Sequence, residues 1–140
     1  MTGQLNFEEL GKGHEIPPFR VTPSKLQMMM YAAATWNPNQ VHWDSDFCRK
    51  RGYADANIAG PMLGDYLAEM LVQWIGDPSR LRTLEFLNRD LAFPDDTLIC
   101  RGKVKGRHRE GNTDLIDCLV WVENQKGGVL VQGSALVSLS

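Results

Sequence analysis

The sequence predicts an α+β fold, an antiparallel sheet wrapped around one long central helix. Between about Pro61 and Ile75, Leu63, Leu67, Met70, Leu71 and Trp74 recur at three- and four-residue steps, and Met62, Tyr66 and Ile75 widen the stripe. From Arg80 onward the apolar period changes to two, in runs separated by turn residues. One wide apolar helix followed by a set of strands is the pattern of a sheet packed on a helix. At 140 residues, a single domain over 1–140 with a real core is expected.

Taken in order, residues 1–13 read as an extended lead-in ending at Gly11-Lys12-Gly13. His14 to Val21 can form a first strand, which Pro17-Pro18 confine to an edge or an irregular position. Thr22-Pro23-Ser24 starts a helix over Lys25 to Ala34, with Leu26, Met29, Met30 and Ala33 expected inward. Thr35-Trp36-Asn37-Pro38 stops it, because the residue before proline disfavours helix. Asp44 or Ser45 can cap a short helix over Phe47 to Arg51 that Gly52 ends, and Tyr53 to Ala59 is a loop. Pro61 suits the first position of the central helix, and Gly76-Asp77-Pro78 ends it. Strands follow at about 81–91, 97–109, 114–124 and 128–139, with turns at Pro94-Asp95-Asp96, Glu110-Gly111-Asn112 and Gln125-Lys126-Gly127-Gly128, read as consecutive hairpins. In 97–109, Leu98, Cys100, Gly102, Val104 and Gly106 alternate with Arg101, Lys103, Lys105, Arg107 and Arg109. Centring the hairpin on Gly111 sets Asp117 across from Lys105 and Trp121 across from Arg101. That charged face reads either as solvated ion pairs, or as a phosphate contact or a face covered by another subunit, since Leu115, Leu119 and Trp121 share it.

Composition excludes several classes. The chain is 43% hydrophobic and 23% charged with a net charge of −2, which gives no reason to expect nucleic acid. The N-terminus lacks a basic stretch followed by an apolar run, and no apolar run reaches membrane-spanning length, so a cytoplasmic protein without a membrane segment is expected. Three cysteines and three separated histidines give no metal-type spacing, so no metal is expected.

The chemistry concentrates in Thr35-Trp36-Asn37-Pro38-Asn39-Gln40-Val41-His42-Trp43-Asp44. His42 sits in an irregular polar segment flanked by Trp36 and Trp43, and an imidazole both accepts and donates protons near neutral pH. No Gly-x-Ser-x-Gly elbow or reactive-cysteine signature is present, so acid–base chemistry is the catalytic reading, beside that of a structural histidine. Gly60 precedes the long helix, whose N-terminal N–H groups and partial positive charge attract a polarised carbonyl oxygen. A core helix with a glycine turn is the alternative.

These residues resemble the MaoC-like hot-dog family, which includes (R)-specific enoyl-CoA hydratases and 3-hydroxyacyl thioester dehydratases. The family motif reads Gly-Asp-x-Asn-Pro-Ile/Leu-His-x-Asp, then a loop and a His-Gly-x-Leu helix start. Asn39, His42, Asp44 and Gly60 match it, and the spacing from His42 to Gly60 agrees without a gap. Aligning Asn37-Pro38 with the motif's Asn-Pro would put Thr35 and Gln40 at the catalytic positions and break the distance to Gly60. Asn88 to Leu98, leading into Gly102-Lys103-Val104, also looks like the family's sheet. Two departures stand out: Asn37 replaces the family's catalytic aspartate, and Ala59 replaces the histidine before the glycine. Asn cannot transfer a proton but can hold a water or the substrate through its amide.

The resemblance implies a hot-dog fold and reversible hydration of a trans-2-enoyl thioester of CoA or acyl carrier protein, with no cofactor besides that substrate. His42 and Asn37 become the candidate catalytic residues, and Gly60, Pro61, Asp65 and Trp36 the candidate substrate-binding residues. A dimer or higher oligomer is expected, either of one chain or with another hot-dog chain. The alternatives are a non-catalytic subunit of a heteromeric hydratase, suggested by Asn37, and a hot-dog acyl thioesterase, suggested by Asp65.

Overall fold

The computed structural model describes residues 5–139, so residues 1–4 of the expected lead-in lie outside the described residues. The long helix α3 spans Gly60–Ile75, one residue earlier than its pattern suggests. Pro61 lies in its first turn, and Gly76 ends it at φ 78° with its N–H donating to the Val72 carbonyl. Met62, Leu63, Gly64, Leu67, Met70, Leu71, Trp74 and Ile75 are buried. Burying one Leu- or Met-sized side chain contributes ~1.5–3 kcal/mol, so this face outweighs any exposed ion pair of the fold.

The face packs on one five-stranded antiparallel sheet: β1 (Glu15–Val21), β2 (Leu81–Asn88), β3 (Leu98–Glu110), β4 (Thr113–Glu123) and β5 (Val129–Ser138). Strand order is β1-β3-β4-β5-β2. The first strand lies at an edge, with a register shift between Ile16 and Phe19 where Pro17-Pro18 fall. The two later hairpins form as expected. The first expected hairpin does not: β2 pairs with β5 at the far edge instead of with β3. The connecting segment has other partners, with Arg89 and Asp90 donating to the Leu130 carbonyl and Asp95 donating to that of Pro23. Helix and sheet pack tightly at Gly64, where the Phe86 ring of β2 fills the space a Cβ would need.

The register of β3 on β4 departs from simple alternation. Arg101 opposes Trp121 as expected, but Gly106, not Lys105, opposes Asp117, because Lys105 is a bulge residue. One extra residue reverses the faces beyond it. Arg107 therefore lies across from Ile116 of the core and Arg109 across from Asp114, away from the outer face of Arg101 and Lys103. Both guanidinium groups cover the Phe7 ring, and Arg107 Nη1 donates to the Phe7 carbonyl across 2.6 Å. On the outer face Glu123 accepts from Trp121 Nε1 at 2.8 Å and from Arg101 Nε at 3.1 Å.

Helix α1 spans Lys25–Ala34 and starts at a capping box between Ser24 and Gln27. Its inward residues are Met28 and Ala32, not the expected set. Leu26, Met29 and Met30 are 66%, 52% and 62% exposed, and Ala33 is exposed as well. The helix is apolar on nearly every side, so spacing alone does not choose a face. The short helix α2 covers Ser45–Lys50 and is capped by Asp44. Among the described residues no helix is long and apolar enough to cross a membrane.

Candidate active site

Three stretches meet around His42. Gln40–His42 forms a single turn of 3-10 helix after α1. Its Val41 carbonyl accepts from the Asn57 N–H at 2.8 Å, and His42 Nδ1 bonds the Asn57 carbonyl at 2.8 Å. Asn57 lies three residues before Gly60, and the next N–H, that of Ile58, donates to the Ala92 carbonyl at 2.8 Å. The half-buried imidazole is thus anchored to the segment that enters α3. A carbonyl oxygen can only accept, so Nδ1 carries the hydrogen and the neutral ring keeps its lone pair on Nε2.

Two of the motif's other landmarks are scaffold. Asn39 Oδ1 accepts from Val41 N at 3.2 Å and caps the 3-10 turn, and Asp44 Oδ1 accepts from Phe47 N at 3.0 Å and caps α2. Together they fix the loop that presents His42. At the start of α3, Ala59 offers no side-chain cap, Pro61 has no N–H and the Met62 N–H donates to the Ala59 carbonyl at 3.0 Å, so of the first three N–H positions that of Gly60 is left to meet an acceptor. Asn88 of β2 lies over this end, since a Cβ on Gly60 would come within 2.5 Å of its Nδ2. Pro61 is exposed beside it.

Asn37 and Trp36 lie between the end of α1 and the turn. Asn37 is half-buried, with its N–H donating to the Ala32 carbonyl at 2.9 Å. It lines a groove with Met29, Ala32, Ala33, Trp36, Pro38 and Trp43, which neither His42 nor Gly60 lines. Trp36 has φ 52° and is 92% exposed. A left-handed non-glycine residue costs about 1–2 kcal/mol, and so bulky a side chain there is an outlier. Asp65 is exposed, and the Tyr31 hydroxyl donates to its Oδ2 at 2.6 Å. Burial pushes the Cys100 and Cys118 thiols up to about 12, and Cys48 in the same direction, so none supplies a thiolate near neutral pH. Among the described residues no group of three His, Cys, Asp or Glu side chains is placed to hold a metal.

Sequence reasoning missed Asn57. It is 5% exposed, and its Nδ2 has no hydrogen-bond partner among the described residues. The available signal was a single amide inside the apolar run Ala56-Asn57-Ile58-Ala59.

The family model for hydroxyacyl-thioester dehydratase type 2 matches residues 10–94. The chain is 28% identical over 82 residues to the mitochondrial hydroxyacyl-thioester dehydratase type 2 of Saccharomyces cerevisiae, a match covering 57% of this chain and 29% of that protein. The chain therefore spans less than a third of that relative's length. The (R)-hydratase from A. caviae involved in PHA biosynthesis superimposes with a TM-score of 0.83 at 16% identity, over 95% of this chain and 99% of that one. The MaoC-like dehydratase from Rhodospirillum rubrum gives 0.80 at 18% identity, over 96% and 95%. The ChsH1-ChsH2 complex from Mycobacterium tuberculosis gives 0.79 at 20% identity, over 92% of this chain and 98% of that one. At these identities the structural likeness establishes the fold, and it is the hot-dog fold that the motif implied.

Proposed function

The chain belongs to the hydroxyacyl-thioester dehydratase type 2 family, and on that premise we propose that it catalyses reversible addition of water to a trans-2-enoyl thioester. In the other direction the reaction is dehydration of a 3-hydroxyacyl thioester. The observation that carries this reading is the bond between His42 Nδ1 and the Asn57 carbonyl at 2.8 Å, just before the open start of α3. In hydration, His42 Nε2 takes a proton from water as the water oxygen bonds to C3. The C2–C3 π electrons shift toward the thioester carbonyl and make it an enolate. The Gly60 N–H and the positive end of α3 stabilise that oxygen. The imidazolium then returns its proton to C2, which closes the balance with one histidine. Asn37 holds the water through its amide and needs no proton of its own.

The reading uses CoA or acyl carrier protein as the thiol carrier and no further cofactor. It places the protein in the cytoplasm as a homodimer or higher oligomer. A second reading, an auxiliary subunit paired with another hot-dog chain, is favoured by Asn37, which removes one proton-transfer group. The heteromeric ChsH1-ChsH2 neighbour is compatible with it. In the thioesterase alternative Asp65 would act while accepting the hydrogen bond of the Tyr31 hydroxyl.

The test is a panel of trans-2-enoyl-CoA esters of different size, followed by loss of enoyl absorbance, product mass and free thiol. Water addition without thiol release is expected. Thiol release would identify a thioesterase. An inert chain that co-purifies with a second hot-dog protein would identify an auxiliary subunit.

A further inference from the structure

Trp36 follows the last turn of α1 at φ 52°, a position that helices commonly give to glycine. Its indole is 92% exposed, while the backbone closes the helix end, the Trp36 N–H donating to the Ala33 carbonyl at 3.3 Å and the Asn37 N–H to that of Ala32 at 2.9 Å. Around it lies the groove walled by Met29, Ala33, Pro38 and Trp43, of about 480 Å³, within the range of small-molecule sites of roughly 300–1,000 Å³. No charged side chain lines it, and its only amide side chain is Asn37. Exposed Leu26 and Met30 extend the apolar surface along α1.

We propose that this groove takes the hydrocarbon part of the acyl group, so that the chain prefers thioesters with long or broad acyl chains over short ones. The inference rests on the enoyl-thioester reading above. Asn37 lines the groove and, in the reading above, holds the reacting water, so a substrate whose reacting carbons lie at that amide has its tail beside Trp36. The walls exclude the other end of the substrate, because a charge-free lining offers nothing to the phosphates of CoA or of a carrier arm. Flat indoles and flexible thioethers fit hydrocarbon of varied shape. Each buried methylene raises affinity about fourfold, so a few carbons along the groove give a large selectivity.

The experiment compares kcat/KM for crotonyl-CoA and trans-2-dodecenoyl-CoA in wild type, Trp36→Gly and Met29→Ser. In both variants the dodecenoyl-to-crotonyl ratio is expected to fall at least about tenfold. The melting temperature of Trp36→Gly stays level or rises, because glycine suits the left-handed position. An unchanged ratio overturns the proposal. A drop in solution mass on Trp36→Gly, with equal loss on both substrates, also overturns it, because a protein partner then covers the indole. If wild type hydrates neither ester, calorimetry with dodecanoyl-CoA and butyryl-CoA tests the groove separately from the reaction. Tighter binding of the longer ester that is lost in Trp36→Gly supports the groove while the hydratase reading fails, and equal affinities overturn the groove.

Discussion

The Tyr31 hydroxyl donates to Asp65 Oδ2 across 2.6 Å and so ties α1 to α3. Burial first, then the hydrogen bond to Asp65 and that carboxylate's charge, push Tyr31 from 10 up to about 12. The fold favours the neutral phenol. Its contribution to stability is thus complete below pH 10 and is lost as pH rises from there through about 12. A phenolate absorbance titration, with Tyr31→Phe subtracted, should show Tyr31 ionising near 12. Asp65→Asn should lower that midpoint only part of the way, because burial remains. A midpoint at 10 in the native protein would disprove the link.

His42→Asn separates the histidine's two tasks. An asparagine Nδ2 can keep the hydrogen bond to the Asn57 carbonyl while the lone pair of the ring is gone. Turnover should fall by about 10²–10⁴, with the melting temperature within a few degrees of wild type. Retained turnover in the folded variant would remove His42 from the mechanism.

For Asn37→Asp the expected outcome is a slower enzyme. A carboxylate at the place proposed for the reacting water favours the imidazolium over the neutral ring and repels an enolate-like transition state. The activity lost on acidification should then disappear at a higher pH than in wild type. A large gain at neutral pH would instead show that wild type lacks a proton-transfer group, which is the auxiliary-subunit reading.

Asn57 is expected to trade stability for function. A buried donor without a partner costs about 1–3 kcal/mol, and Asn57→Leu removes that donor while keeping the backbone carbonyl that holds His42. Thermal unfolding should show an equal or higher melting point together with lower kcat/KM. A clear drop in melting point would mean that a buried water satisfies the amide.

How legible each part was depends on how local its cause is. Helix α3 could be read because one stripe, one proline and one glycine all lie within its own residues. The caps at Ser24 and Asp44 could be read for the same reason. The partner of β2 could not, because it is chosen by β5 and by Leu130, far along the chain. The bulge at Lys105 left no mark, since basic residues continue every second position straight through it. Helix α1 offered several apolar stripes, and only packing selected Met28 and Ala32. In the candidate site, the motif pointed to His42 and Gly60, but the backbone carbonyl that orients His42 belongs to a residue that no motif singles out.

The strand order also sets a sequence of events during synthesis. β2 leaves the ribosome directly after α3, yet its hydrogen-bonding neighbour is β5, Val129–Ser138. Until that strand is made, Leu84 and Phe86 can lie against the helix, but the backbone groups of β2 that β5 will engage stay unpaired. A nascent chain paused between β3 and β4 would therefore expose an open strand able to capture the same strand of a neighbouring nascent chain.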